Sequence, residues 1–288
     1  MADRWVLRRR GALGDVVLLG SVTGVLARAG AHVTVATAAR YRSVAERLEG
    51  VAATCDWSET PSGRVVDLDG GLRGRRRPAD ARIRKRSMRR RLRLWLPRVP
   101  PRPSVPELYA EAVDCAPQPA PWIQTPEAKR RDTLVLVPGA AWAPKQWSPE
   151  RLAAVGARWR GPVVVLGGPG EADLVQRVAA SAPHAKACVE DGFDATIRWL
   201  ARAAVTVSGD SGLMHLAGAC GSPVVALFGP THPDDGFFVY EGEVLQRTLP
   251  CRPCALHRVE RCRHTHHGCM DHSVDQVWEA VKRCAGSC

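Results

Sequence analysis

Short apolar runs, each closed by a glycine-bearing turn and followed by a segment with helical spacing, recur along this 288-residue chain. Trp5-Val6-Leu7-Arg8 reads as a strand and Gly11-Ala12-Leu13-Gly14 as its turn. A helix is predicted from Asp15 to about Ala29, ended by Gly30. A strand over 32–36, a helix through Val44 and Leu48, and a strand over 64–68 follow. Five prolines between Pro97 and Pro106 exclude regular structure there, and the next predicted helix covers 105–115. The proline-rich stretch 116–126 leads into a charged run, Glu127 to Asp132, and reads as a linker. It sets expected domains of 1–126 and 127–288.

The second half repeats the grammar more clearly. Strands are predicted over 133–137, 162–166, 205–208 and 224–228. Helices are predicted after Ser148-Pro149, from about Glu171, from an Asp194 cap, over 212–220, and at the C-terminus behind a Ser273 cap. Strand, turn and helix in alternation predict an α/β fold of parallel sheets with crossover helices. Two such domains place ligands at the carboxyl ends of their strands, in the cleft between them.

Composition adds class but little chemistry. Hydrophobic residues make up 45% and charged residues 24%, as in globular domains. The sequence has no apolar run long enough for a membrane span and no apolar leader after Met1, so a cytoplasmic protein is expected. The net charge of +12 is local, concentrated between Arg73 and Arg102 in runs such as Arg75-Arg76-Arg77 and Arg89-Arg90-Arg91. Such a cluster attracts polyanions: nucleic acid, acidic lipid or phosphorylated glycan. It is equally the arginine-rich surface of a GC-rich genome.

Between Val205 and His215 a strand runs through Gly209-Asp210-Ser211-Gly212 into a helix. Glycine admits close backbone approach, and the free N–H groups and dipole of a helix start favour phosphate. Ser211 adds a hydroxyl, and His215 lies one turn inside. Asp210 would repel a phosphate set directly against it and reads as a cap or loop organiser. A plain capped helix after a strand explains the same spacing.

The segment from Ser208 to Ala217, continued by Gly221-Ser222-Pro223-Val224-Val225-Ala226-Leu227-Phe228-Gly229-Pro230-Thr231, resembles the signature of the ADP-heptose:lipopolysaccharide heptosyltransferases, glycosyltransferase family 9. The resemblance implies a GT-B fold, two Rossmann-like domains facing across a cleft. It places Asp210, Ser211, Gly212 and His215 at the nucleotide-diphosphate site. Gly11-Ala12-Leu13-Gly14-Asp15-Val16-Val17 resembles the family's opening turn and makes Asp15 the expected catalytic base. Pro138 to Trp147 resembles its donor loop, with Lys145 meeting the donor phosphates and Ala140 and Ala141 offering backbone donors. Glu171, after Leu166-Gly167-Gly168-Pro169-Gly170, matches an acidic residue on the donor's ribose, and is otherwise an ordinary glutamate of a helix start. Asp67 to Arg73 resembles an acceptor segment, with Arg73 the expected contact to an acidic glycolipid core.

The implied function is an inverting transfer of heptose or a similar sugar from an ADP-sugar to a lipopolysaccharide-core-like acceptor. No cofactor is implied, and peripheral contact with the cytoplasmic face of the inner membrane is. Two other readings compete: a catalytically degenerate nucleotide-sugar binder, and a basic nucleic-acid-binding protein with a Cys/His module. The second lacks an aromatic-interleaved platform, so nucleic acid is not an expected partner.

Ten cysteines are present. Cys55, Cys115, Cys188 and Cys220 are scattered and read as small core residues. Cys251, Cys254, Cys262 and Cys269, interleaved with histidines, form a candidate structural zinc set. Packed thiols and disulfides remain equally open readings of that tail.

Overall fold

The computed structural model describes residues 3–59, 61–70, 77–83, 103–125, 131–189, 192–236, 240–255, 258–262, 264 and 267–286. The N-terminal sheet begins with β1 (Arg4–Arg8), whose last four residues are buried, as expected for a central strand covered on both faces. Helices α1 (Leu13–Val17) and α2 (Gly20–Arg28) lead to β2 (His32–Thr37). Helix α3 (Arg42–Ala45) leads to β3 (Val51–Asp56), and β4 (Arg64–Asp67) and β5 (Ala81–Arg82) complete the sheet. Its order is β3-β2-β1-β4-β5, with every pairing parallel.

The single helix expected over 15–29 is two helices. At their junction Leu19 N–H bonds Val16 O, Ser21 N–H bonds Leu18 O and Val22 N–H bonds Leu19 O, an i to i+3 pattern that tightens the chain. The Ser21 hydroxyl also donates to Leu18 O at 2.7 Å, offering that carbonyl a partner outside the helical ladder.

Helix α4 (Val105–Val113) opens on a Ser104/Glu107 capping box and ends at Asp114, in the left-handed region at φ 56°. The expected linker is no solvent-exposed tether. Trp122 and Ile123 are buried, and both of their N–H groups donate to Ala219 O in the C-terminal half. Trp122 packs on Gly20, where any side chain would collide with its ring.

The C-terminal sheet contains β6 (Thr133–Val137), β7 (Val163–Gly167), β8 (Ala185–Val189), β9 (Ala203–Gly209), β10 (Val224–Phe228) and β11 (Gly242–Gln246). Helices α5 (Pro149–Ala157), α6 (Ala172–Ser181), α7 (Asp194–Ala201), α8 (Gly212–Ala219) and α9 (Val274–Ala285) connect and cover these strands. The order is β11-β10-β9-β6-β7-β8, again all parallel. Asp194 is the first residue of α7 rather than its cap, and its carboxylate accepts from Arg47 across the seam at 2.7 Å.

The sequence pattern identifies none of β3, β5, β8 and β11, and all four are sheet edges. An edge strand has neighbours on one side and solvent near the other, so β3, β8 and β11 are mostly half-exposed or exposed and carry no apolar run. One apolar cluster is continuous between the halves: Leu18, Leu19, Tyr109 and Trp122 share it with Leu216, Ala219, Phe228 and Tyr240.

A second cluster packs α5, α6 and α9 on the other face of the C-terminal sheet. At its edge the buried His272 side chain is pushed down to about pKa 4 by burial, with Arg247 and Arg252 adding repulsion. An unfolded histidine titrates near 6.5, so this group has no effect above that pH and withdraws stability as pH falls from 6.5 towards 4. Denaturant unfolding at pH 5 should therefore show a loss on the order of 2 kcal/mol relative to pH 7.5, and His272→Leu should flatten that slope. Parallel slopes for the two proteins would show that His272 does not titrate between the folded and unfolded states.

Candidate functional site

Each sheet has one point where the chain reverses its direction of travel across the strands. In the N-terminal sheet β2 and β3 lie on one side of β1, and β4 and β5 on the other; in the C-terminal sheet β7 and β8 lie beyond β6, and β10 and β11 beyond β9. Crevices outside the carboxyl ends of β1/β4 and of β6/β9 are the places where such sheets bind ligands.

The first crevice holds Arg9, Asp15 and Asp69. Arg9 directly follows β1 and is 4% exposed. Its guanidinium donates to Leu68 O at 2.7 Å and Asp69 O at 3.0 Å, lies 3.7 Å from the Asp69 carboxylate, and forms an ion pair with Asp15 Oδ2. Asp15 lies in the first turn of α1, and its Oδ2 accepts from Ala12 N–H at 3.2 Å. An acidic group there is favoured by the helix start. The Tyr109 hydroxyl of α4 donates to Asp15 O at 3.1 Å, tying the helix to its neighbour.

The second crevice holds Lys145, Asp210 and Thr231. Lys145 ends a short 3-10 turn, Ala143–Lys145, after β6. Its Nζ donates to Asp210 Oδ2 at 2.5 Å, and the Thr231 hydroxyl donates to the same oxygen at 2.8 Å. Burial draws the Asp210 carboxyl upward, but the Lys145 ammonium and its hydrogen bond, with His215 and the Thr231 hydroxyl, together outweigh it and leave the pKa below the ordinary carboxylate value. The cap of α8 is Ser211, whose Oγ accepts from Met214 N–H, so Asp210 organises the loop instead. Gly209 has its Cα over Lys145 O, and an added Cβ would lie 2.4 Å from that oxygen.

The two crevices meet at α1 and α8. A Cβ on Gly14 would stand 2.4 Å from His215 Cδ2, and one on Gly212 would stand 2.9 Å from Leu13 Cβ. His215 is buried, with Nδ1 3.0 Å from the Tyr240 hydroxyl. Burial lowers its pKa despite the opposing fields of Asp210 and Asp15, so the ring is neutral at neutral pH. Asp15, Asp210, Ser211, Gly212, His215 and Lys145 thus gather at one seam, although they come from positions 15 to 215.

Glu171 lies beside this group. It ends the 3-10 turn Pro169–Glu171, its Oε2 accepts from Gly168 N–H at 3.1 Å, and its carboxylate lies against Gly139, just after β6. Ala140 spends its carbonyl on Gln146 Nε2 at 3.2 Å, and Ala141 is exposed. Arg73 and most of the arginine series lie outside the described residues.

Of the readings open for the tail cysteines, the described residues give no zinc cluster. Among the described residues no group of three or more His, Cys, Asp or Glu side chains is placed to hold a metal ion, and no disulfide links the described cysteines. The tail instead buttresses the loop after β10, Gly229-Pro230-Thr231. Cys254 and Ala255 N–H donate to Pro230 O, Arg252 Nη2 donates to Thr231 O at 2.8 Å, and Met270 Sδ fills the space over Gly229. Through Thr231 that packing reaches Asp210.

Sequence reasoning did not identify Arg9, Asp69, Tyr109, Thr231 or Tyr240. Arg9 stands between Arg8 and Arg10, right after the strand that the pattern predicts. Its position just after a strand with no exposed face was the available signal.

Two facing α/β domains with opposed switch points define a GT-B protein, the architecture implied by the sequence resemblance. The model of "Glycosyltransferase family 9 (heptosyltransferase)" matches residues 104–260, more than half of the chain, and the chain belongs to that family. Lipopolysaccharide heptosyltransferase 1 of Pseudomonas aeruginosa is 32% identical over 126 residues, 42% of this chain and 36% of that protein. The matched stretch therefore spans little more than a third of that relative's length. The structure of Escherichia coli ADP-heptose lps heptosyltransferase II superposes with a TM-score of 0.75 at 19% identity, covering 99% of both chains. Escherichia coli heptosyltransferase WaaC with ADP superposes with a TM-score of 0.70 at 15% identity, covering 98% of this chain and 99% of that one. These likenesses extend the shared fold over nearly the whole chain.

Among the described residues no helix is long and apolar enough to cross a membrane.

Proposed function

We propose that this chain is an inverting glycosyltransferase that moves a heptose, or a similar sugar, from an ADP-sugar to an acidic lipopolysaccharide-core-like acceptor. The observation that carries the reading is the juxtaposition of Asp15, from the β1/β4 crevice, with Lys145, Asp210 and His215 from the β6/β9 crevice. ADP as the nucleotide is supported by the relatives described with ADP-heptose and with ADP.

The donor diphosphate sits between Lys145 and the start of α8, where an ammonium, free N–H groups and the helix dipole all favour phosphate. Glu171 takes the ribose hydroxyls. The acceptor hydroxyl enters from the N-terminal side, with Arg73 on the acceptor's acidic group, and gives its proton to the Asp15 carboxylate. Its oxygen bonds to the anomeric carbon as the bond from that carbon to the phosphate oxygen breaks. ADP leaves with the electron pair, and its developing charge falls on Lys145 and the α8 start. Attack opposite the leaving group inverts the anomeric centre. A peripheral position on the cytoplasmic face of the inner membrane suits a glycolipid acceptor.

Thermal unfolding with ADP, GDP and UDP tests the donor side. A selective upward shift with ADP or ADP-heptose is expected, by mass action on the native state. Mass spectrometry of a heptose-deficient lipopolysaccharide core incubated with ADP-heptose tests transfer. Binding without any product would leave a nucleotide-sugar binder; no response to any nucleotide would overturn the proposal.

A further inference from the structure

Arg9 is a deeply buried charged group at the first crevice, and the proposed reaction gives it no role. Its side chain is 5% exposed, and its guanidinium meets two carboxylates and two carbonyls on the β1/β4 crevice. The contacts are directional. Asp69 and the carbonyls of Leu68 and Asp69 lie on the β4 side and fix the guanidinium plane. The remaining arm, Nη2, reaches Asp15 at Oδ2, the oxygen that also accepts from Ala12 N–H. Two donors on one oxygen fix both the rotation of the carboxylate and its distance from the sheet.

We propose that Arg9 is the positioning residue of the transfer reaction, clamping Asp15 in its charged form and in one orientation towards the acceptor hydroxyl. This deepens the glycosyltransferase reading and rests on Asp15 being its base. Burial alone would weaken the Arg9 charge, yet Asp15, Tyr109 and Asp69 raise its pKa, so the guanidinium stays charged at every working pH. A buried, permanent cation fits the role better than lysine, because only a planar fork serves both crevice walls at once. Tyr109 of α4 and His215 of α8 also face Asp15, and Asp69 shares the Arg9 guanidinium with it. Asp69 repels a charge on Asp15. Burial pushes the Tyr109 phenol well up, and the His215 ring is neutral, so neither adds a positive charge beside that of Arg9.

The test is the pH dependence of transfer in Arg9→Met and Arg9→Lys, with ADP binding measured alongside. Loss of an adjacent opposite charge raises a carboxyl pKa by about 1–3 units. Arg9→Met is therefore expected to move the acid limb of kcat upward by at least about one pH unit, with donor affinity unchanged. Arg9→Lys keeps the charge and loses the fork. Its acid limb should stay near the wild-type position while kcat falls about tenfold, and it remains informative if Arg9→Met fails to fold. An Arg9→Met profile that superposes on wild type, or an Arg9→Lys variant with wild-type kcat, would overturn the assignment. Asp15→Asn separates the two claims: full transfer by that variant removes Asp15 as base, whatever the Arg9 variants do.

Discussion

Asp15→Ala is expected to lower the transfer rate by about 10²–10⁴-fold, the usual contribution of a general base, while ADP binding changes little. The separation follows from the architecture. Asp15 belongs to the β1/β4 crevice, and Arg9 and Ala12, which contact its carboxylate, belong to the same wall. The groups assigned to the diphosphate lie on the other sheet. Truncation also leaves the buried Arg9 with Asp69 as its remaining carboxylate partner, so some loss of stability accompanies Asp15→Ala. Asp15→Asn is the cleaner probe, since its side-chain carbonyl still accepts from Arg9 but cannot take a proton. Initial rates at saturating donor, read beside calorimetric ADP titrations, decide the matter. Parallel losses of rate and affinity would move Asp15 from chemistry to binding, and an unchanged rate would remove it from the mechanism.

The other large effect belongs to the Lys145–Asp210 pair. Asp210→Ala should destabilise the protein by about 3–5 kcal/mol, because it strands a buried ammonium and a Thr231 hydroxyl without their shared acceptor. Lys145→Met should cost a comparable amount by stranding the carboxylate. The double variant, with neither charge left to desolvate, should lose well under the sum of the two single losses; strict additivity in denaturant unfolding would show that the pair is not coupled. Neither single variant should bind ADP with wild-type affinity, since one loses the ammonium and the other its alignment. The pair also sets an acid limit. The Asp210 carboxyl lies below its ordinary value in the folded state, so its contribution is complete above the unfolded carboxylate range and disappears as pH falls through the folded value.

Much of the central architecture was readable from local pattern. The apolar runs at 5–8, 133–137, 205–208 and 224–228 are central strands covered on both faces, and a fully buried strand must be nearly continuous in apolar residues. Ser148 and Ser273 cap their helices as their positions suggest. The edge strands were invisible because half of their surface faces water and their residues need not be apolar. The packing of the stretch between the halves was hidden for a related reason. Pro117, Pro119 and Pro121 mark irregular backbone, but irregular backbone also packs when a residue such as Trp122 fills a groove over Gly20.

The site divides along the same line. The glycine turns at 11–14 and 209–212, and the charged residues beside them, were present in the chain as candidates. Their physical form follows from sequence alone, because a glycine turn between strand and helix leaves backbone N–H groups unpaired wherever it occurs. What the sequence by itself determined is therefore the pair of switch-point turns and the acidic residue or lysine each carries. Tertiary structure alone decided that Asp210 answers Lys145 rather than capping α8, that Arg9 is buried and paired with Asp15, and that Arg252 of the cysteine tail packs behind Thr231. Each of those outcomes joins residues 6 to 65 positions apart in pairs whose sense depends on burial. Charge and burial together set whether an ion pair is a solvated accident or a costly, ordered contact, and burial is a property of the folded chain.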